Sequence, residues 1–226
     1  MSGVVYSVGG HNVLIPSPRP ISNLRPAFEK FKFAFMPGVN TLFIGLLNEE
    51  WFRANPPREL TPVAGGTALQ DAVAERWKQV TGRRIYQGYG LTETSPIVTS
   101  TPIDSPEKPG TIGIPFADTY VRIVDDEGRP VPVGERGELV VKGPQVMKGY
   151  WQQPEATAEV LKDGWFSTGD IAVMDEDGFF YIVDRKKDMV IVSGFNVYPT
   201  EVEDVLVKHP GVLEAGVIGV PDEATG

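Results

Sequence analysis

The chain contains no cysteine, which excludes disulfide staples and thiolate metal centres and suits a reducing compartment. Its two histidines, His11 and His209, lie too far apart in sequence to suggest a zinc site. Positive charge is also scarce: the formal net charge is −9, and the most basic cluster, "DRKKD", sets three cations between two acids. Non-specific nucleic-acid binding is therefore not expected. The N-terminal "MSGVVYSVGG" lacks the basic and long apolar regions of a signal peptide. The most apolar uncharged run, "FAFMPGVNTLFIGLLN", is shorter than the roughly 20 residues a spanning helix needs, and Pro37 and Gly38 interrupt it. What is present is a chain of 226 residues, 41% hydrophobic, enough to fill the core of one large domain or of one domain and part of another.

The first hundred residues read as α/β. "HNVLIPSP" has the look of a short apolar strand running into prolines, and "RPAFEKFKFAFMPGV" passes from a helix into a second strand. "LQDAVAERWKQVTG" places Leu69, Val73, Ala74 and Trp77 on one face of a helix that Gly82 closes. "RRIYQGYG" then runs from a strand into a glycine turn. From about Thr101 strand-like runs alternate with Asp-Gly and Glu-Gly turns, as in "YVRIVDDEGRPVPVGERGELVVKG", with "QPEATAEVLKDG" as the first helical pattern. "GFFYIVDRKKDMVIVSG" gives two more strands around a charged knot, and "YPTEVEDVLVKHPG" is a helix with Pro199 near its start and Lys208, His209 and Pro210 at its end. "VLEAGVIGVPDEATG" begins a further strand. With no partner for that strand, the chain is expected to be cut from a longer one.

Four clusters carry chemistry. "YQGYGLTETSP" (Tyr86 to Pro96) holds two tyrosines, glycines, hydroxyls and one acid within a few positions. A tyrosine beside glycines can offer its ring to a planar base, threonine hydroxyls can reach phosphate oxygens, and Glu93 can hold Mg²⁺. On spacing alone the stretch serves equally as a strand-to-loop turn with solvated polar residues. "GWFSTGD" ends in Asp170, which can accept both hydroxyls of a ribose or simply cap its own turn. "VDRKKDMVIVSGFNVYP" puts Arg185, Lys186 and Lys187 between apolar strands, as a solvated turn or an interdomain hinge would. "VAGGTAL" (Val63 to Leu69) is a Gly-Gly turn leading into a helix.

In this order, "AGGTAL", "GYGLTETSP", "GELVVKGPQVMKGYW", "DGWFSTGD" and "VDRKKDMVIVSGFNVYPTEVED" resemble the adenylate-forming superfamily of acyl-CoA synthetases, carrier-loading adenylation domains and luciferases. The resemblance spans essentially the whole chain. "GVNTLF", "AVAERW" and "PQVMKGYWQQPEATAEV" look most like bacterial long-chain fatty-acid:CoA ligases, which are acid–thiol ligases. The fold so implied is part of a large N-terminal domain followed by a truncated α+β C-terminal domain. Residues 1–100 would form part of its α/β subdomain, 101–184 a β-rich, β-barrel-like subdomain, and 185–226 the hinge and the start of the C-terminal domain.

By the same resemblance Tyr89 stacks on adenine, with Gln87, Gly88 and the turn Gly65, Gly66, Thr67 along the base. Thr92 would touch the α-phosphate, Glu93 would ligate Mg²⁺, and Asp170 and Arg185 would grip the ribose. Lys187 would be the hinge, Gly194 would border the coenzyme A tunnel, and Val39 and Leu42 of "GVNTLF" would line the acyl pocket. The implied reaction activates a fatty acid with ATP to an acyl-adenylate and passes it to coenzyme A. A Ser/Thr/Gly-rich phosphate loop and a C-terminal "GK" lysine, both expected in the superfamily, do not occur here. The isolated chain is therefore expected to lack detectable ligation. A cytoplasmic location follows from the resemblance, with peripheral attachment to the inner face of the cell membrane as a further expectation. Two alternatives stand beside this: part of a carrier-protein-loading adenylation enzyme, and a non-catalytic adenine-nucleotide-binding module.

Overall fold

A computed structural model describes residues 2–209, 211–212 and 215–222. The chain divides into two compact units, residues up to Tyr86 and residues from Gln87 onward.

The first unit contains α1 (Ser2–Ser7), α2 (Arg25–Lys30), β1 (Phe35–Gly38), α3 (Asn40–Asn48), α4 (Glu50–Ala54), β2 (Thr61–Ala64) and α5 (Asp71–Thr81). β1 and β2 pair in parallel, Phe35 opposite Thr61 through Gly38 opposite Ala64. A parallel pair buries both faces and needs helical cover, which α3 and α5 supply. α3 buries Phe43, Leu46 and Leu47, and α5 buries Val73, Trp77 and Thr81, each set at helical spacing. Trp77 is the centre of this core, with Phe43 and Phe52 ring centroids at 5.1 and 5.2 Å. The helix expected from "LQDAVAERWKQVTG" is α5, ending at Gly82. α3 went unnoticed in the sequence because its residues are apolar almost all round, which erases the contrast between faces that periodicity detects. Conversely, "HNVLIPSP" forms no strand: His11–Pro18 is irregular, because Pro16 and Pro18 each lack the amide a ladder requires.

The second unit is β-rich. β3 (Tyr86–Tyr89), β4 (Thr99–Ser100) and β5 (Ile114–Pro115) pair antiparallel through Tyr89 opposite Thr99 and Ser100 opposite Ile114. A 3₁₀ turn at Thr92–Thr94 lies between β3 and β4. A five-stranded antiparallel sheet is built from β6 (Tyr120–Val124), β7 (Gly137–Lys142), β8 (Leu161–Lys162), β9 (Trp165–Met174) and β10 (Phe180–Arg185). Its order is β10-β9-β7-β6, with β8 paired to β9. It does not close into a barrel among the described residues. Leu139, Val141, Ala172 and Phe180 point to one face and join Val98, Ile112 and Ile123 in the core of this unit. α6 (Pro154–Val160) precedes β8. β11 (Val190–Val192) and β12 (Phe195–Val197) form a hairpin, followed by α7 (Pro199–Leu206).

α7 is anchored from outside itself. Asp184, 7% exposed on β10, accepts the Thr200 N–H at 3.0 Å through Oδ2 and the Arg185 N–H at 2.7 Å through Oδ1. A carboxylate on an amide in the first turn of a helix, here that of Thr200, offsets both its unmet donor capacity and the helix dipole. Arg136 adds a forked ion pair to Glu201, at 2.6 and 3.1 Å, with its guanidinium over the Tyr198 ring. The strand expected from "VLEAGVIGVPDEATG" does not form among the described residues. Ile218 and Val220 are exposed there. Leu213, Glu214 and residues 223–226, and Pro210 after α7, lie outside the described residues.

Candidate nucleotide site

The site is set up by an irregularity in β9. Against β7, β9 pairs Ser167 with Val140 and then Ile171 with Glu138, so β9 uses four residues where β7 uses two. The stretch "TGD" thus stands opposite Leu139 alone. Such a bulge breaks the ladder and re-aims a side chain. Here it is held by side chains: the Thr168 hydroxyl donates to the Leu139 carbonyl at 2.7 Å and accepts the Asp170 N–H at 3.1 Å. The Gly169 N–H donates to Glu138 Oε1 at 3.1 Å. Lys186 closes the arrangement, its ammonium 3.1 Å from Glu138 and 2.9 Å from Asp126, and those carboxylates raise its pKa.

Asp170 so placed is buried at 7% exposure and meets Tyr89, which lies 81 positions earlier. The Tyr89 hydroxyl donates to Asp170 Oδ2 at 2.5 Å. Arg185, on β10 directly opposite Asp170, brings Nε to 3.8 Å of Oδ1, with its side chain 63% exposed. Burial raises the Asp170 pKa, partly opposed by the Tyr89 hydrogen bond and Arg185. Burial and the adjacent carboxylate also push the Tyr89 phenol far above its ordinary range. A firmly protonated phenol thus donates to the Asp170 carboxyl group, with Oδ1 open to further donors.

The loop after Tyr89 turns very tightly. A side chain at Gly90 would place Cβ 1.7 Å from the Pro96 carbonyl oxygen, so only glycine fits. The Thr94 hydroxyl, buried, accepts the Leu91 N–H and donates to the Leu91 carbonyl, both at 3.0 Å. With Thr94 turned inward, Thr92 is exposed and Glu93 half-exposed. Glu93 Oε1 accepts the Tyr150 hydroxyl at 3.0 Å. No group of three or more acidic, histidine or cysteine side chains forms a metal cage among the described residues. One carboxylate is the donor set suited to Mg²⁺ that keeps waters and takes its other ligands from substrate phosphates, and Glu93 fits it on that condition. A groove of about 710 Å³ opens beside these groups, lined by Glu93, Tyr150, Glu138, Thr168, Gly169 and Lys186 among others.

The remaining candidate residues are distributed as follows. Gln87 and Gly88 lie on β3, where the Gln87 carbonyl accepts the Thr101 N–H and the Gln87 N–H donates to the Thr101 hydroxyl. Lys187 is exposed in the turn after β10. Gly194 occupies the β11–β12 turn with φ +84°, following Ser193 at φ +50°. That conformation alone favours glycine, and a Cβ there would meet open space. Gly65, Gly66 and Thr67 belong to the first unit, in the turn after β2, as do Val39, partly exposed before α3, and Leu42, packed against the core around Trp77. Glu138, Thr168, Lys186 and Tyr150 carried no assigned role in the sequence. Their signal was present in "GELVVKG", "STGD" and "KGYW", but only the folded register shows what they touch.

The chain matches a family model described as AMP-binding enzyme over residues 3–151. It belongs to the AMP-binding enzyme family. Residues 201–226 match a second model, the AMP-binding enzyme C-terminal domain. The chain is 54% identical over 220 residues to a long-chain-fatty-acid–CoA ligase of Yersinia pestis, covering 97% of this chain and 39% of the relative. Against the enzyme of that name from Salmonella typhimurium it is 53% identical, covering 97% and 39%. The fold matches ATP-bound MatB from Rhodopseudomonas palustris with a TM-score of 0.90 and 35% identity, over 100% of this chain and 44% of that one. The chain thus spans about 39% of the length of these two ligases. Among the described residues, no helix is long and apolar enough to cross a membrane.

Proposed function

We propose that this chain supplies the adenine, ribose and metal-nucleotide part of a fatty-acid:CoA ligase. The observation that carries the reading is the meeting of two distant motifs at one point, the Tyr89 hydroxyl on Asp170 with Arg185 across the same strand pair. The similarity to ligases named for long-chain fatty acids and CoA supports the choice of acid and acceptor. In this proposal residues 1–100 serve as part of an α/β subdomain, 101–184 as a β-rich subdomain, and 185–226 as a hinge and the start of a C-terminal domain. The cell location proposed is cytoplasmic, and peripheral attachment to a membrane is tested by co-sedimentation with liposomes.

The chemistry assigns each residue a task. Tyr89 presents its ring to adenine, with Gln87, Gly88 and the Gly65–Thr67 turn along the base edge. Asp170 accepts from ribose hydroxyls, steadied by Arg185. Thr92 donates to the α-phosphate. Glu93 holds Mg²⁺, which when bound offsets the charge of the phosphate chain. A fatty-acid carboxylate oxygen attacks the α-phosphorus and pyrophosphate leaves; the thiol of coenzyme A then attacks the acyl carbon and AMP leaves. Binding at adenine and ribose is used to position the reacting atoms. Val39 and Leu42 are assigned to the acyl pocket, Gly194 to the coenzyme A side, and Lys187 to the hinge between half-reactions.

The test is AMP binding to this chain by calorimetry, with Tyr89→Ala and Asp170→Ala beside it, followed by ATP–pyrophosphate exchange with octanoate and palmitate. Binding by the unaltered chain that either substitution abolishes supports the reading. Absence of AMP binding in the unaltered chain overturns it. Exchange is expected to stay at background, and a signal that depends on fatty acid would show the chain catalytically sufficient.

A further inference from the structure

The stretch "KGYW" (Lys148 to Trp151) lies between β7 and α6. Its tyrosine sits at the end of a short chain of hydrogen bonds leading to Glu93. The Tyr150 hydroxyl donates to Glu93 Oε1 at 3.0 Å. Its own backbone is fixed in turn, because the Tyr150 N–H donates to Thr157 Oγ1 at 2.9 Å. Thr157 lies in the first turns of α6 and donates its hydroxyl proton to the Gln153 carbonyl at 2.8 Å. A second contact reaches the same acidic residue from the same loop: the Met147 N–H donates to the Glu93 carbonyl at 2.7 Å. Both the backbone and the carboxylate of Glu93 are therefore held by residues 147–150.

A glutamate on a half-exposed turn has three rotatable side-chain bonds, and ordering them costs conformational entropy. A carboxylate already oriented by a phenol avoids that cost when a ligand arrives. It also has a defined division of labour, since Oε1 is engaged by Tyr150 and Oε2 remains available. This is the relation seen between metal-binding carboxylates and the hydrogen-bonding groups behind them.

We infer that Tyr150 is a positioning residue for Glu93, holding its carboxylate so that one oxygen faces a divalent cation carried on a nucleotide's phosphates. The inference rests on the proposed nucleotide role of this site. Tyr150 touches neither adenine nor ribose in that scheme, so its effect belongs to the metal and not to AMP.

The experiment compares the unaltered chain with Tyr150→Phe and Glu93→Gln. Mn²⁺ uptake in the presence of ATP is followed by electron paramagnetic resonance, and metal-free AMP binding by calorimetry. Tyr150→Phe keeps the ring and removes the donor. It is expected to raise the Mn²⁺ concentration for half-saturation about tenfold, while AMP affinity moves by less than about twofold. Adding Tyr150→Phe to Glu93→Gln is expected to cause no further loss of Mn²⁺ binding, because the carboxylate it orients is gone. Mn²⁺ uptake by Tyr150→Phe equal to that of the unaltered chain overturns the inference. So does a parallel loss of Mn²⁺ and AMP binding, which marks a merely structural tyrosine. An unaltered chain that binds AMP but holds Mn²⁺ no better than ATP alone does removes Glu93 as the ligand, and the inference with it, while leaving the nucleotide reading intact. One that binds no AMP refutes the parent reading, and the inference falls with it.

Discussion

Replacing Tyr89 by phenylalanine deletes one oxygen and keeps the ring. Asp170 then loses the donor at 2.5 Å, and the cation beside it, Arg185, is 3.8 Å away and largely solvated. A hydrogen bond to a charged group is worth about 1.5–3 kcal/mol, and at 7% exposure little water can replace it. The expected loss at pH 7 is therefore about 1.5–3 kcal/mol, or roughly 3–12 °C in Tm for a chain of this size. The pH dependence follows from the sign of the Asp170 shift. Its folded pKa is already raised by burial, and the Tyr89 bond is the largest influence lowering it. Removing that bond raises the folded value further. A raised carboxyl contributes stability that is fully present below its unfolded pKa of about 3.9 and is lost as pH rises through the folded pKa. The variant should accordingly match the parent chain most closely near and below that unfolded value and fall behind as pH climbs above it. Urea denaturation at intervals from about pH 4 to 8 measures the difference. A loss of the same size at every pH would refute the reasoning, because the hydroxyl would then act by neutral packing. In an Asp170→Asn background the same substitution should cost only the neutral hydrogen-bond value, about 0.5–1.5 kcal/mol.

Other perturbations probe the rest of the site and its frame. Leu139→Ala, at a fully buried position in the second unit, should cost about 2–5 kcal/mol in urea denaturation; a cost well under 1 kcal/mol would show the core misassigned. Gly90→Ala forces Cβ into the Pro96 carbonyl, and a cost of about 1–3 kcal/mol or more with loss of AMP binding is expected, whereas unchanged AMP calorimetry would mean the loop relaxes freely. Arg136→Ala removes a half-exposed pair with Glu201, so global stability should change by no more than about 1 kcal/mol. Amide exchange over Pro199–Leu206 should nevertheless quicken, and unchanged exchange there would show that Asp184 alone anchors α7.

Much of the frame was legible because the residues state it locally. α5 and α7 carry clear apolar stripes, and the hairpins of the second unit are bounded by Asp-Gly and Glu-Gly turns. α3 was hidden by uniform hydrophobicity, and two apolar runs were mistaken for strands because apolar content alone cannot supply a hydrogen-bonding neighbour. For the site, the sequence named the tyrosine, the aspartate and the glutamate, but not what joins them. The contact between Tyr89 and Asp170 depends on a register shift in β9, and no local pattern encodes a register. Tyr150, Glu138 and Lys186 escaped for the same reason: their partners lie 57, 31 and 48 positions away.

The anchoring of α7 by Asp184 bears on the mobility proposed at Lys187. Because Asp184 grips a backbone amide, the side chain at position 200 is free to vary without loosening the grip, whereas position 184 is not. Any swing of the segment beyond Lys187 that carries Thr200 away leaves one oxygen of a buried carboxylate without its donor, a penalty of about 1–3 kcal/mol until water or another amide replaces it. The hinge would therefore behave as a detent more than as a free joint. It rests in one seat, resists small excursions, and releases only when the destination offers Asp184 a new donor.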